Sequence, residues 1–481
     1  MSHRNRRFRF VHLATLTLGL GMAAVAGCSA DTGSDESNVT DVQHTDVKDQ
    51  SIGNCWIYAS VGWAESLHLR YSSTALNVSE SYITYWHWFE QIVQGDHGHR
   101  QVATMSNPDE LTTGGFWGVA GEIMLRYGMM EEGTFIPEEA ESIRSARQRS
   151  AKNAINASLK DGVLSDPEAR RDPSKVRAEL DAAWELTPEV VDTLNLVFGE
   201  RVERTVYDDA PAPETGIFLP RSLAVGHLDE GGTRRVITLA DAIGTSASWY
   251  HFRNRSGEFA WNAEYYPSTD SSRRDFQVRM QRAMHASQPV LLSWLVDFNA
   301  MSGNHFMEPP ATPGRQGGHL IVVEDYQINN VPGYGTLEAG TLVLDPVVLE
   351  AALAPEAELE FIRIKNSWGE SLAPDNVEQL EGYHDLYMKY LNGPIAKCHE
   401  EGDDKCARTT DETPLRKMIL PPERFMQAAA ATCDANVYQS SCSGSVLQWC
   451  DGGVLERFDC ASAEWSCGYD DSYGDYDCLM Q

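Results

Sequence analysis

The stretch DQSIGNCWIYASVGWAESL, residues 49–67, sets a lone cysteine where a polar loop runs into an apolar segment. Cys55 opens that segment, Trp56 follows it, and the apolar residues that continue beyond predict a buried helix over 55–69. A thiol is a poor nucleophile until it ionises, and a helix N-terminus or a neighbouring imidazolium favours the thiolate. The loop-to-helix junction meets the first condition locally. The second needs a histidine from elsewhere in the chain.

Why the thiol stands alone follows from the other cysteines. Arg4, Arg6, Arg7 and Arg9 precede an apolar run that ends in VAGC at residues 25–28. This pattern resembles a bacterial lipoprotein signal peptide over 1–27, cleaved before a lipidated Cys28, which implies anchoring to a bacterial membrane in the cell envelope. An exported chain sits where disulfides persist. Of ten cysteines, eight lie between 398 and 478, so they can pair among themselves and leave Cys55 free. Which of them pair is not legible in sequence. The net charge of −31 argues against a nucleic-acid partner, which needs a basic face.

Along the chain, a polar tether is expected over 28–46, a main domain over 47–395, a linker over 396–432 and a small Cys-rich module over 433–481. Further helices are expected over 78–93 and 116–128, the second closed by Gly128. Residues about 137–275 form a polar, helix-rich insertion, in which Asp172-Pro173 and Thr187-Pro188 mark helix starts and Gly199 a helix end. Strands are expected over 288–298, 317–328, 340–347, 360–368 and 384–391. Helices first and strands later predict an α+β fold with a cleft between the halves.

His319 in QGGHLIVVEDY starts a strand behind two glycines that let another backbone come close. Asn366 in RIKNSWGE ends another strand, where its carboxamide can orient an imidazole while Trp368 keeps water away. Cysteine, histidine and asparagine in these roles make a nucleophile, a general acid–base and an orienter.

The blocks DQSIGNCWIYAS, GGHLIVVEDY and IRIKNSWGE, in that order, resemble the three signature blocks of the papain-like cysteine peptidases. NVSESYI, TGGFWGVAGEIMLRYG and MQRAMHASQPV are similar to intervening pieces of that family, so the resemblance covers roughly 47–137 and 276–392. It implies a two-lobed α+β fold with a helical left lobe and an antiparallel, β-rich right lobe. It also implies peptide-bond hydrolysis through a thioester, with no cofactor and no metal. Cys55 would be the nucleophile, His319 the acid–base, Asn366 the orienter, Trp368 its shield and Gln50 the oxyanion-hole side chain. Gly114 and Gly115 would pair with an extended substrate backbone and Phe116 would wall a subsite.

His319 follows Cys55 by 264 residues, against about 130–150 in papain-like chains, and the insertion supplies the excess. A helical insertion of this kind resembles the bleomycin hydrolase branch. Gln50 lies five residues before Cys55, one fewer than in the family, and the cysteine that braces that loop is missing. So is a second tryptophan after NSWG. The span from Cys28 to Cys55 is too short for an inhibitory propeptide.

Other readings stand beside this one. A single buried cysteine is ordinarily an inert small hydrophobe, which would make the chain an inactive adhesion or binding lipoprotein on a protease scaffold. An amidase or transpeptidase acting on cell-wall peptides would use the same chemistry. His87, His97 and His99 lack the partner spacing of a metal site. Trp449, Trp465 and Tyr469 in the Cys-rich module could stack on cell-surface polysaccharide; the plainer role for that module is a stabilising appendage.

Overall fold

A computed structural model describes residues 42–94, 101–207, 215–230, 233–246, 252, 254–268, 270–341, 343, 345–369, 381–397, 407–408, 412–426, 440–443, 446–451, 454–460, 465–470 and 475–480. Residues 1–27, expected as a signal peptide, and Cys28, His97, His99, Cys398, Cys406 and Cys433 lie outside the described residues.

Helix α1 (Cys55–Ser72) is buried along its whole first four turns, from Cys55 to Leu67. A helix apolar on every side belongs inside a core rather than on its edge. Against it pack α2 (Glu80–Ile92), whose first turn is capped by Ser79 accepting from the Tyr82 amide, and α3 (Trp117–Tyr127). Gly128 ends α3 with φ 70°, and an added Cβ there would meet Phe218 O at 3.0 Å, so glycine is required by both conformation and space.

The insertion folds as expected at its marked helices. Asp172 accepts from Ser174 N ahead of one, and Thr187 from Val190 N ahead of the next, which Gly199 closes at φ 80°. These helices follow α4 (Gln148–Asp161) as α5 (Pro173–Ala183) and α6 (Pro188–Phe198). Their apolar faces, through Ile155, Leu180, Trp184 and Phe198, belong to one core with Trp86 and Tyr127, so the insertion thickens the helical layer. Trp86 lies flat on Tyr127, centroids 4.0 Å apart and planes 3° apart, a contact worth about 0.5–1.5 kcal/mol beyond its buried area.

After α7 (Asp270–His285) the chain builds most of a nine-stranded sheet. Its strands are β1 (Asn262–Tyr265), β2 (Val290–Asp297), β3 (Met301–Ser302), β4 (His305–Phe306), β5 (Gln316–Val331), β6 (Gly335–Leu337), β7 (Glu358–Lys365), β8 (Tyr383–Tyr387) and β9 (Leu415–Leu420). The order is β1-β9-β2-β5-β7-β8-β4-β3, with β6 folded back on β5. Every pairing is antiparallel except β4 with β8. Side chains alternate between the two faces: Leu320, Val322 and Leu291 join the helical core, whereas Ile321, Val323 and Leu292 join a second core with Phe276 and Met280 of α7. The sheet is therefore buried on both faces, with α1 on one and α7 on the other.

Three sequence expectations are corrected. Described residues of 340–347 form no strand; Asp345 caps a short helix, Pro346–Ala351, by accepting from Val347 N. The linker of 396–432 contributes β9, which pairs with β2 and β1 inside the sheet. The tether ends earlier than 46, because Val42 is in the sheet's core and His44 is buried. Residues 42–50 strap the two layers: His44 Nδ1 bonds Ser66 Oγ at 2.9 Å, Thr45 Oγ1 donates to Glu65 at 2.5 Å, and Lys365 donates to the Thr45 carbonyl.

The Cys-rich module holds a three-stranded sheet (441–443, 446–451, 454–459) and a hairpin (465–470, 475–480). Disulfides Cys442–Cys467 and Cys460–Cys478 tie the sheet to the hairpin. Among the described residues, no helix is long and apolar enough to cross a membrane.

Candidate active site

Cys55 is the first residue of α1, and the only free cysteine among the described residues. The preceding Asn54 does not cap the helix; its Nδ2 donates to Thr84 Oγ1 and Gln148 Oε1, each at 3.1 Å. The first-turn amides are thereby left to face the thiol. The backbone amides of Leu320, Trp56 and Cys55 itself favour the thiolate, but burial outweighs them and pushes the thiol up to about 11.

His319 stands on β5 opposite Trp294 of β2 and is buried. Its Nε2 lies 2.7 Å from Asn366 Oδ1, and the Ser367 amide donates to the same oxygen at 2.8 Å. Because a backbone N–H can only donate, the atom it faces is the amide oxygen. His319 Nε2 must then carry the proton, which leaves Nδ1 as the basic nitrogen. Burial lowers His319 to about 4, against the pull of the Asn366 hydrogen bond, so the resting imidazole is neutral. The β5–β7 register pairs Val322 with Lys365; extended along both chains, it sets His319 opposite Trp368. The two rings stack with centroids 4.8 Å apart.

Gln50 is laced to the same group. Its backbone N–H donates to Ser367 O at 2.9 Å, and its Oε1 accepts from Ser367 Oγ at 2.7 Å. Its Nε2 donates to Ile52 O at 2.9 Å, which engages one of its two amide hydrogens. Gly115 is pressed on Trp56: an added Cβ would come within 2.3 Å of the indole, whose Nε1 donates to Thr113 O at 2.8 Å. Gly114 next to it meets nothing within 4 Å and faces open space. Phe116 precedes α3, half-buried, with Lys417 Nζ 5.7 Å from its ring.

The structure thus links His319, Asn366 and Trp368 by direct contacts, and joins Gln50 to them through Ser367. Cys55 joins them through the backbone of Leu320, the residue after His319, and the glycine strip joins through Trp56, the residue after Cys55. Among the described residues, no hydrogen bond connects the Cys55 thiol with the His319 ring. Two participants escape the sequence reading: Ser367, which fixes both Asn366 and Gln50, and His384, whose Nδ1 lies 3.3 Å from Asn366 Nδ2. Ser367 sits inside the NSWG block and was open to notice; His384 reads only as the start of a strand. A narrow cavity of about 30 Å³ runs behind Asn366, lined by Tyr58, Glu65, Glu80 and Lys365 among others.

Among the described residues, no three His, Cys, Asp or Glu side chains are grouped to hold a metal ion. His87 instead meets Trp56 edge-on, centroids 4.8 Å apart, with Gln91 Nε2 3.3 Å from its ring nitrogens. The chain matches no protein-family model, and no curated protein is significantly similar to it.

Proposed function

We propose that this chain is a papain-like cysteine peptidase, lipid-anchored in a bacterial cell envelope. The observation that carries the reading is the 2.7 Å bond from His319 Nε2 to Asn366 Oδ1, roofed by Trp368, beside a free cysteine at a helix N-terminus. It supports a base whose Nδ1 is directed by an orienter in the way a thiol nucleophile requires.

In this reading the substrate backbone lies along Gly114, where no side chain intervenes. His319 Nδ1 takes the Cys55 proton as sulfur attacks the peptide carbonyl, and the tetrahedral oxyanion draws on the Cys55 amide and the remaining Gln50 hydrogen. The C–N bond breaks as His319 returns its proton to the leaving amine. Water, deprotonated by the same nitrogen, then hydrolyses the thioester and frees Cys55. Bringing a neutral thiol and a neutral imidazole to an ion pair is the step substrate must help, by closing the site to water and by docking the carbonyl on the donors.

One observation favours the rival reading, an inactive binding lipoprotein: the thiol is raised to about 11 and has no bond to His319. An epoxide that traps thiol peptidases separates the two. The expected result is stoichiometric labelling of Cys55 in the folded chain, peptide-library cleavage by the wild type and none by Cys55→Ala. Absence of both labelling and cleavage under reducing conditions would refute the peptidase.

A further inference from the structure

Asn366 is held from two sides. On one, its Oδ1 receives the Ser367 amide at 2.8 Å and faces His319 Nε2 at 2.7 Å. On the other, its Nδ2 faces His384 Nδ1 at 3.3 Å. The identities of these atoms propagate. Ser367 N–H fixes the oxygen, so the atom toward His384 is the NH2, which can only donate; His384 Nδ1 must therefore accept and its proton must sit on Nε2. That Nε2 is buried with no hydrogen-bond partner.

A buried N–H without a partner is costly and is not expected on a ring chosen only for packing. An apolar side chain would fill the same space, between Phe306, with centroids 6.2 Å away, and the edge of Trp368, at 5.3 Å, without that cost. His384 is 2% exposed and stands on β8 paired with Ile364, two residues before Asn366 on the neighbouring strand's exit. The Gly382 carbonyl is within reach of the ring as a competing acceptor, and the Asp385 carboxylate, His305 and His319 are the other polar groups around it.

We propose that His384 is a positioning residue: by accepting from Asn366 Nδ2 it locks the carboxamide with its oxygen toward His319, and so fixes which nitrogen of His319 serves as the base. This rests on the peptidase reading above. If the carboxamide turned over, its NH2 would confront both the Ser367 amide and His319 Nε2–H, and the imidazole would have to move its proton to Nδ1, where it cannot accept from Cys55. An Nδ1-protonated His384 would drive the same turnover.

The test compares His384→Leu, which fills the space without an acceptor, with His384→Asn, whose amide oxygen can take the place of Nδ1. Expected is a kcat about tenfold or more below wild type for Leu with KM within about twofold, and recovery to within about threefold for Asn, the pattern of a lost tautomer. Equal loss in both variants with a lowered melting temperature would mean packing alone and would overturn the proposal, as would wild-type kcat in His384→Leu. A second readout does not depend on turnover: NMR of the Asn366 side-chain amide and the His319 ring nitrogens in the full chain. The wild type should have one slowly exchanging Asn366 amide and a protonated His319 Nε2, with both signatures lost in His384→Leu. Unchanged spectra would overturn the inference, whereas altered spectra in a chain that cleaves no peptide would sink the peptidase reading and leave the lock standing.

Discussion

The His319 imidazole lies 4.8 Å from the Trp368 indole, centroid to centroid, with the ring planes 25° apart. The indole covers the His319–Asn366 hydrogen bond and is itself braced by Phe298, at 5.5 Å. A hydrogen bond sheltered from water is electrostatically stronger than an exposed one. Trp368→Ala is therefore expected to lower kcat by about tenfold, as water competes for Asn366 Oδ1. Initial rates on a cleaved peptide check this; a kcat within twofold of wild type would mean that the shelter contributes nothing.

The two glycines of the strip give opposite expectations. At Gly115 an added methyl would stand 2.3 Å from the Trp56 ring, whose indole N–H is tied to Thr113 O and cannot retreat freely. Gly115→Ala should cost about 1–3 kcal/mol of stability, as overpacking does. Gly114→Ala meets nothing, so its melting temperature should equal wild type while KM for peptides rises several-fold. Thermal melts and KM on the same preparations decide both; a KM unchanged in Gly114→Ala would remove the strip from the substrate path.

What the sequence disclosed, and what it hid, follow from the range of the interactions. Cys55, His319 and Asn366 each carry a local mark, respectively a loop-to-helix junction, a glycine pair before a strand, and a polar residue at a strand's end. The helix starts at Asp172 and Thr187 are likewise local caps. Asp345-Pro346 bears the same cap signature, yet the apolar run before it drew that segment toward a strand. Strand β9 could not be read locally, since LRKMIL takes its place only by pairing with 262–265 and 290–297, far off in sequence. His384 matters because strand register carries it beside Asn366, and no short-range pattern records a register.

The N-terminal strap should be structural rather than disposable. Thr45 satisfies the half-buried Lys365 with its carbonyl and the buried Glu65 with its hydroxyl, while Val42 fills the sheet's core. A chain beginning at residue 47 leaves those charged groups without these partners, and losing a hydrogen bond to a charged group costs about 1.5–3 kcal/mol. A chain beginning at residue 40 keeps them. Urea unfolding of the two truncations is expected to differ by at least about 3 kcal/mol; equal midpoints would show that the strap holds nothing together.

Acid should unfold this protein at a comparatively high pH, because several histidines are buried in the neutral form. Burial lowers His87 and His285 to about 3 and His319 and His384 to about 4, from an ordinary 6.5. A folded-state value below the unfolded one means that, as pH falls through 6.5, the unfolded chain binds protons that the folded chain refuses. Stability is then full above 6.5 and is lost on the way down, by about 1.4 kcal/mol per pH unit for each group. Glu80, pushed up by burial from 4.5 to about 8, works in the opposite direction over that range and offsets one histidine. Burial raises the carboxyls of Glu132, Glu139 and Asp181 as well, so the net loss is smaller than the histidine sum, against a total stability of about 5–15 kcal/mol for a typical domain. Far-ultraviolet circular dichroism and tryptophan fluorescence are expected to report cooperative unfolding near pH 5, and His285→Gln should move the midpoint downward. A fold that survives unchanged to pH 3.5 would mean that these rings accept protons in place, and with them that the neutral His319 of the resting site is wrong.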